Sequence, residues 1–323
     1  MKVLIALIAA GVLTYPTLSK AAEPEQIVDA MQALAGKSKN RLSGAKGQCI
    51  VGTFTPSAEA KGLTKSAAFA APSKVVGRFA VGGGNPKVAD GTKTVNRSFS
   101  FRIDEGGKST TEFVMVNAPI NFVKSPEQML AFLQARAPGA DGKPDPEKIK
   151  AFAEANPETT LQGKYIASKP IPASWVGVAY WGIHAYTVTD AAGKSQLVKL
   201  KMVPTGGEVG LTDDEAKAKP ADFLVDELNG RLTSKTPAGF DLVAILGQPG
   251  DASNNATQRW ADEDARPTVK LGTLTVTGLE KNDVCDGQIF DPTNLADGLA
   301  GPKDDPLFAI RQPAYAIAIT RRL

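Results

Sequence analysis

Apolar and polar residues follow a period of two through eight short stretches: Gln48–Phe54, Lys74–Val81, Val95–Ile103, Thr111–Val116, Val176–Thr189, Gln196–Val203, Phe240–Gly247 and Thr268–Thr277. Such runs, rich in Val, Phe and Ile, predict half-buried strands, and Asp104-Glu105-Gly106-Gly107 predicts the turn of a hairpin. Eight strands at this spacing predict an antiparallel barrel or a sandwich. A helical period replaces the alternation in Pro24–Lys37, where Ile27, Val28, Met31 and Leu34 share a face. Three further helices are predicted at Pro126–Ala135, Pro146–Ala155 and Pro220–Leu232, each with Pro near its start, where the missing N–H has no partner to lose. The class is therefore α+β. The Gly/Pro-rich stretch Pro138–Pro146 and the polar stretch Gln248–Asp264 read as loops, and there is no internal repeat.

The carboxy-terminal end differs. Asp304-Asp305-Pro306 predicts a helix start, followed by the apolar segment Leu307–Arg322. Within it Arg311, Tyr315 and Arg322 stand at offsets of four and seven, which places all three on one helix face. Pro313 is expected to bend or interrupt that helix.

Of the 323 residues, 42% are hydrophobic and 22% charged, enough to bury a sizeable core and too mixed for a disordered or collagen-like chain. Met1–Ala21 has the form of a secretory signal: Lys2, the apolar run Val3–Leu13, and Ser19-Lys20-Ala21 before a cleavage point at Ala22. The alternative, an uncleaved anchor, is disfavoured because the apolar run falls short of the ~20 residues of a membrane helix. The mature domain, residues 22–323, is then expected to work in a bacterial periplasm, free of the membrane. Removing Lys2 and Lys20 from the 37 basic residues leaves 35 against 34 acidic ones, so nucleic acid has no electrostatic footprint to follow. In that compartment Cys49 and Cys285 could bridge, or remain two buried thiols.

There is a single histidine, His184, and these two cysteines are the only ones, which excludes His-rich and paired-Cys zinc sites. Any metal must be held by oxygen or by a cofactor. Gly82-Gly83-Gly84-Asn85-Pro86 lacks the Gly-Lys-Ser/Thr of a phosphate loop and reads as a turn. No Gly-x-Ser-x-Gly elbow is present, and His184 lies in a Trp/Tyr-rich apolar strand, where a satisfied core histidine is the ordinary expectation. Asp251–Thr257 lacks the Gly and terminal Glu of a calcium loop and reads as solvated. A tyrosine on an apolar helix is usually core. Four residues after Arg311, however, the Tyr315 phenol meets a positive charge that favours phenolate, the form that binds ferric iron.

From about Gly36 to Leu323 the sequence resembles the catalase superfamily, specifically its short exported branch, the catalase-related peroxidases. The resemblance is carried by Arg41-Leu-Ser-Gly-Ala-Lys-Gly47, Gly52-Thr-Phe-Thr-Pro56, Arg78-Phe-Ala-Val-Gly-Gly-Gly-Asn-Pro86, Val116-Asn-Ala-Pro119, Ala179-Tyr-Trp-Gly-Ile-His184, Pro220-Ala-Asp-Phe-Leu224 and Arg311-Gln-Pro-Ala-Tyr315. It implies an antiparallel eight-stranded β-barrel with helical insertions, and heme b held between the barrel and the final helix. By the same resemblance Tyr315 is the iron ligand, Arg311 keeps it ionised, and His184 and Asp305 stand behind them. Arg41, Arg78 and Arg322 match arginines that pair the heme propionates.

On the peroxide side the sequence departs from the family. The histidine that precedes Ala-Lys-Gly is replaced by Gly44, a serine after Arg-Phe by Ala80, and Met129 stands where many relatives have Phe. Asn117 alone matches, as the residue over which peroxide is expected to bind. Lys46, two residues from Gly44, is a poor base unless desolvated and is assigned no role. Loss of a general acid–base typically lowers a rate by ~10² to 10⁴. The implied activity is thus reduction of hydrogen peroxide or organic hydroperoxides by an external small-molecule electron donor, with little disproportionation. A non-catalytic heme-binding or heme-sensing protein, and a heme-free barrel used as an interaction module, are the other readings. The tetramer-forming arms of large catalases are missing from the pattern, which predicts a monomer or homodimer.

Overall fold

The computed structural model describes residues 21–36, 39–107, 110–236 and 238–322. The proposed signal, apart from Ala21, lies outside the described residues, as does Lys37.

Eight strands follow one another round a closed ring: β1 (Lys46–Pro56), β2 (Ser73–Val81), β3 (Arg97–Asp104), β4 (Thr110–Val116), β5 (Tyr180–Thr189), β6 (Ser195–Pro204), β7 (Gly239–Leu246) and β8 (Thr268–Leu279). Each pairs antiparallel with its chain neighbour, and β8 closes the ring against β1 through Ile50↔Leu279 to Pro56↔Gly272. Closure leaves no barrel edge to template further pairing. The barrel of the two sequence alternatives is the one realised.

Alternation explains what each wall residue does. On β3, Phe99, Phe101 and Ile103 are fully buried inside, while Ser98, Ser100 and Arg102 point to the other face. The interior is a packed aromatic core: the Phe79 and Phe99 rings stack at 4.2 Å, Phe99 and Phe101 at 5.0 Å, and Phe79 and Trp175 at 5.6 Å. Aromatic rings fill the barrel at this level, and a cavity lies against its outer face.

The helices are α1 (Pro24–Ala35), α2 (Pro126–Gln134), α3 (Pro146–Ala155), α4 (Leu161–Ala167), α5 (Phe223–Thr233), α6 (Asn282–Asp286), α7 (Pro306–Ala309) and α8 (Arg311–Thr320); α1 packs against α2 and α8, while α5 buries Phe223, Leu224 and Leu228 in the barrel core. The prolines at the starts of α2 and α3 sit in the first turn, as predicted, whereas α5 begins at Phe223 with Asp222 as its N-cap, so Pro220 lies before the helix and not in its first turn. The predicted Leu307–Arg322 helix is two. Asp305 caps α7, and Pro313 falls in the first turn of α8, where it breaks no hydrogen bond. The expected interruption is what the structure shows: the break falls at Ile310, beside the Ala309 carbonyl that a residue-313 N–H would have bonded in a continuous helix. Arg322 lies past the end of α8 and so is not on its face. Among the described residues no helix is long and apolar enough to cross a membrane.

Candidate functional site

A cavity of about 320 Å³ lies between the barrel wall and the covering helices. Its floor is the outward set of the alternating strands: Arg78 and Ala80 on β2, Ser98 and Ser100 on β3, Val114 and Val116 on β4, and Ile183 on β5. Short side chains on these strands are what leave the space. Ile27 and Met31 of α1, Met129 of α2, and Arg311, Ala314 and Tyr315 of α8 complete the wall.

The Arg311–Tyr315 pair forms as the spacing predicts: Arg311 Nη1 donates to Tyr315 Oη at 2.7 Å. A guanidinium donor favours negative charge on the oxygen it faces. Behind it, Arg311 Nε donates to His184 Nε2 at 2.8 Å, and His184 Nδ1 lies 2.6 Å from Asp305 Oδ2. Arginine has only donors, so His184 Nε2 is the acceptor and the ring proton sits on Nδ1, given to the carboxylate. The imidazole is neutral. Burial, together with the Arg311 charge, pushes its pKa down to about 4. The other oxygen, Asp305 Oδ1, accepts from the Leu307 and Phe308 N–H groups at the start of α7, 2.9 and 3.3 Å away. Burial opposes the charge on Arg311, but the facing Tyr315 and Tyr186 oxygens, the Tyr315 hydrogen bond and Asp305 outweigh it, and its pKa is raised. His184 is thus buried, as a core histidine would be, and also the second member of a relay leading to Tyr315. It reaches Arg311 where the β5–β6 ladder is interrupted, between Trp181 and Ala185.

Arg41 and Arg78 line the cavity, and Arg322 lies close to both in an adjoining cleft that Arg41 and Asp286 also line. Arg41 Nη2 donates to the Cys285 carbonyl and, at 3.0 Å, to the Gln288 carbonyl. Arg322 Nη2 donates to Gln288 O at 2.9 Å, and Arg78 Nη1 to Gly44 O at 2.7 Å. Only Asp286 supplies a carboxylate, 3.5 Å from Arg41 Nε and 3.8 Å from Arg78 Nε. Burial and the charges of Arg78 and Arg322 lower the Arg41 pKa to about 10. The Nε atoms of all three arginines are buried without a hydrogen-bond acceptor. Three neighbouring guanidiniums, two of them paired with the single carboxylate of Asp286, beside an apolar cavity with a phenol on its wall, fit a planar apolar group that carries an oxygen-binding metal and two carboxylates. Heme has that chemistry.

Asn117 is placed elsewhere. Its Oδ1 accepts from the Arg97 backbone N–H at 2.7 Å, and it lines a neighbouring cleft with Arg97, Tyr165 and Trp181 instead of the cavity. The expectation that peroxide binds over Asn117 is corrected by this placement: the strand ends at Val116, and the next side chain turns to the other side. The polar groups that do line the cavity are Ser43, Asn96, Ser98, Ser100, Asn121 and Gln162. Sequence reasoning missed them, and Asp286, because single Ser, Asn and Gln residues carry no spacing signal.

Gly44, Ala80 and Met129 all line the cavity. Gly44 is more than a missing side chain, since its φ is +65°, in the left-handed region, and a Cβ there would lie 3.1 Å from Ala80 Cβ. Lys46 cannot stand in as a base, because its Nζ is held by Asp90 at 2.8 Å and Asp222 at 2.7 Å. Cys49 and Cys285 form a disulfide. The Asp251–Thr257 loop is less solvated than its composition suggests: Asp251 pairs with Arg266, and buried Ala256 packs with Val123 and Leu307.

The catalase family model matches residues 26–323, and the chain belongs to the catalase family. Within it, the sequence is 36% identical over 317 residues to the catalase-related peroxidase of Synechococcus elongatus, covering 97% of this chain and 92% of that protein. It is 30% identical over 307 residues to the catalase-related peroxidase of Mycolicibacterium paratuberculosis, covering 93% and 94%. Among solved structures, a bacterial catalase superposes with TM-score 0.76 at 20% identity, and a fungal catalase with 0.78 at 18%. Each superposition covers 88% of this chain but only 57% and 60% of those longer ones, so this chain spans under two thirds of them. The chain is an enzyme of the catalase family, and the relatives it matches along nearly its whole length are named catalase-related peroxidases.

Proposed function

We propose that this chain is an exported heme b peroxidase that reduces hydrogen peroxide or organic hydroperoxides with an external small-molecule electron donor, and that disproportionates peroxide poorly. The observation that carries it is the unbroken path from Asp305 through His184 and Arg311 to Tyr315 Oη on the cavity wall. Heme, when bound, supplies the iron and the redox chemistry that splits the peroxide O–O bond. Tyr315 Oη is the metal-holding oxygen. Arg311 keeps negative charge on it, and the neutral His184, oriented by Asp305, fixes the guanidinium in place. Arg41, Arg78 and Arg322 take the two carboxylates. Ser98 and Asn121 are side chains that can hydrogen-bond a peroxide in the cavity, but neither can carry a proton from one oxygen to the other at neutral pH. That step is left to water, which Gly44 leaves room for.

Export is supported by the amino-terminal sequence and by the Cys49–Cys285 disulfide, since such bonds persist in oxidising compartments. Steady-state turnover of peroxide and a phenolic donor by the heme-loaded protein tests the reading: the expected rate exceeds that of free hemin at equal concentration. One observation favours a second reading, heme binding without turnover. Apart from its arginines and Tyr315, the described cavity lining holds no ionisable side chain. A rate equal to that of free hemin selects this second reading.

A further inference from the structure

Cys49 and Arg78 are direct cross-strand partners in the β1–β2 ladder, and Cys285 is bonded to Cys49. The disulfide therefore anchors α6 at the register position that carries one of the three neighbouring arginines. From α6 and the residues just after it come the groups that orient the others. The Cys285 carbonyl accepts from Arg41, the Gln288 carbonyl accepts from both Arg41 and Arg322, and the Asp286 carboxylate lies against Arg41 and Arg78. Cys49 and Cys285 are themselves fully buried and touch neither the cavity nor its phenol.

We propose that the Cys49–Cys285 disulfide is a positioning element for carboxylate recognition, holding α6 so that Arg41, Arg78 and Arg322 converge on the two propionates of the cofactor. This rests on the heme reading given above. Like-charged guanidiniums repel one another, and a converging set persists only if its acceptors are fixed. Besides the disulfide, α6 is tied to β1 by Asn282, whose Oδ1 accepts from the Cys49 N–H at 2.8 Å and whose Nδ2 donates to Gly47 O at 3.2 Å, and just before the helix the Glu280 N–H donates to Cys49 O at 2.9 Å. When the bond is absent α6 keeps its place in the chain but loses its covalent anchor, and the arginines lose their common frame. The disulfide thus sets affinity for the carboxylate end of the ligand and leaves the phenol end alone.

The test compares two ligands, hemin and hemin dimethyl ester, whose carboxylates are blocked. Each is titrated into the wild-type protein and into the double variant Cys49→Ala/Cys285→Ala, with far-UV circular dichroism to verify the fold. The expected result is a hemin dissociation constant about tenfold higher in the variant, with the ester's constant unchanged. Equal weakening for both ligands would mean a general structural role and would overturn the proposal, as would no weakening for either. If the wild type takes up neither ligand, the heme reading itself fails and this proposal with it, a result visible without any variant. Should the double variant not fold, wild-type protein reduced with a phosphine and desalted is titrated in its place, with the same expected and contrary results.

Discussion

Arg311 Nε donates to His184 Nε2 at 2.8 Å, and this one contact settles the protonation of the only histidine in the chain. With its other nitrogen given to Asp305, the imidazole has no vacant lone pair and stays neutral when folded.

A pH dependence of stability follows. In the unfolded chain His184 returns to its usual 6.5, while in the folded protein burial and Arg311 hold it down to about 4. Between these values the unfolded state binds the extra proton, so stability is complete above pH 6.5 and falls as the pH drops toward 4. The loss is at most on the order of 3 kcal/mol. Melting temperatures of the wild type and His184→Gln from pH 7 to 4 check this: the wild type should show the steeper acid slope. Equal slopes would contradict it.

Asp305 serves two structures at once, capping α7 with one oxygen and accepting from His184 with the other. Asp305→Ala removes a cap, about 1 kcal/mol, and leaves a buried ring N–H without an acceptor, roughly 1–3 kcal/mol more. Urea denaturation should show the sum. A loss below about 1 kcal/mol would mean that the relay is not tight.

Gly44 occupies left-handed backbone beside Ala80. Gly44→Ala is expected to destabilise the protein by about 1–2 kcal/mol, measured by the same denaturation. An unchanged midpoint would show that the loop relaxes freely, and that a histidine could be restored there without strain.

The three neighbouring arginines should show opposite behaviour with and without cofactor. Arg322 makes one hydrogen bond to Gln288, and burial lowers its pKa. Arg322→Gln is expected to change the stability of the cofactor-free protein by less than about 1 kcal/mol, because lost bonding is offset by relieved repulsion. Hemin affinity should nevertheless fall about tenfold. An unchanged affinity would remove Arg322 from the cradle.

The barrel was legible because its strands obey a period of two, with β3 alternating strictly between the aromatic core and the cavity floor. Proline marked the starts at Pro126 and Pro146 and the break before Pro313, but it misled at Pro220, where the helix begins only at Phe223. The Arg311–Tyr315 contact could be read from helical spacing alone. His184 and Asp305, 121 residues apart, are joined only by tertiary structure and were reached through family resemblance. Asn117 was misplaced because the family match was followed where the strand's own alternation, with Val114 and Val116 toward the cavity, already turns residue 117 to the other side. The meeting of Cys49, Arg78 and Asp286 had no sequence signal at all, since ladder register and a short helix bring them together.

Substitution of Tyr315 by Phe, followed by hemin titration and an absorption spectrum, tests the site most directly. The wild type should bind one hemin and give a high-spin ferric spectrum with tyrosinate ligation, whereas Tyr315→Phe should lose that spectrum and bind hemin far more weakly. Pigment uptake and colour identical in the two proteins would show that the phenol of α8 does not hold the metal.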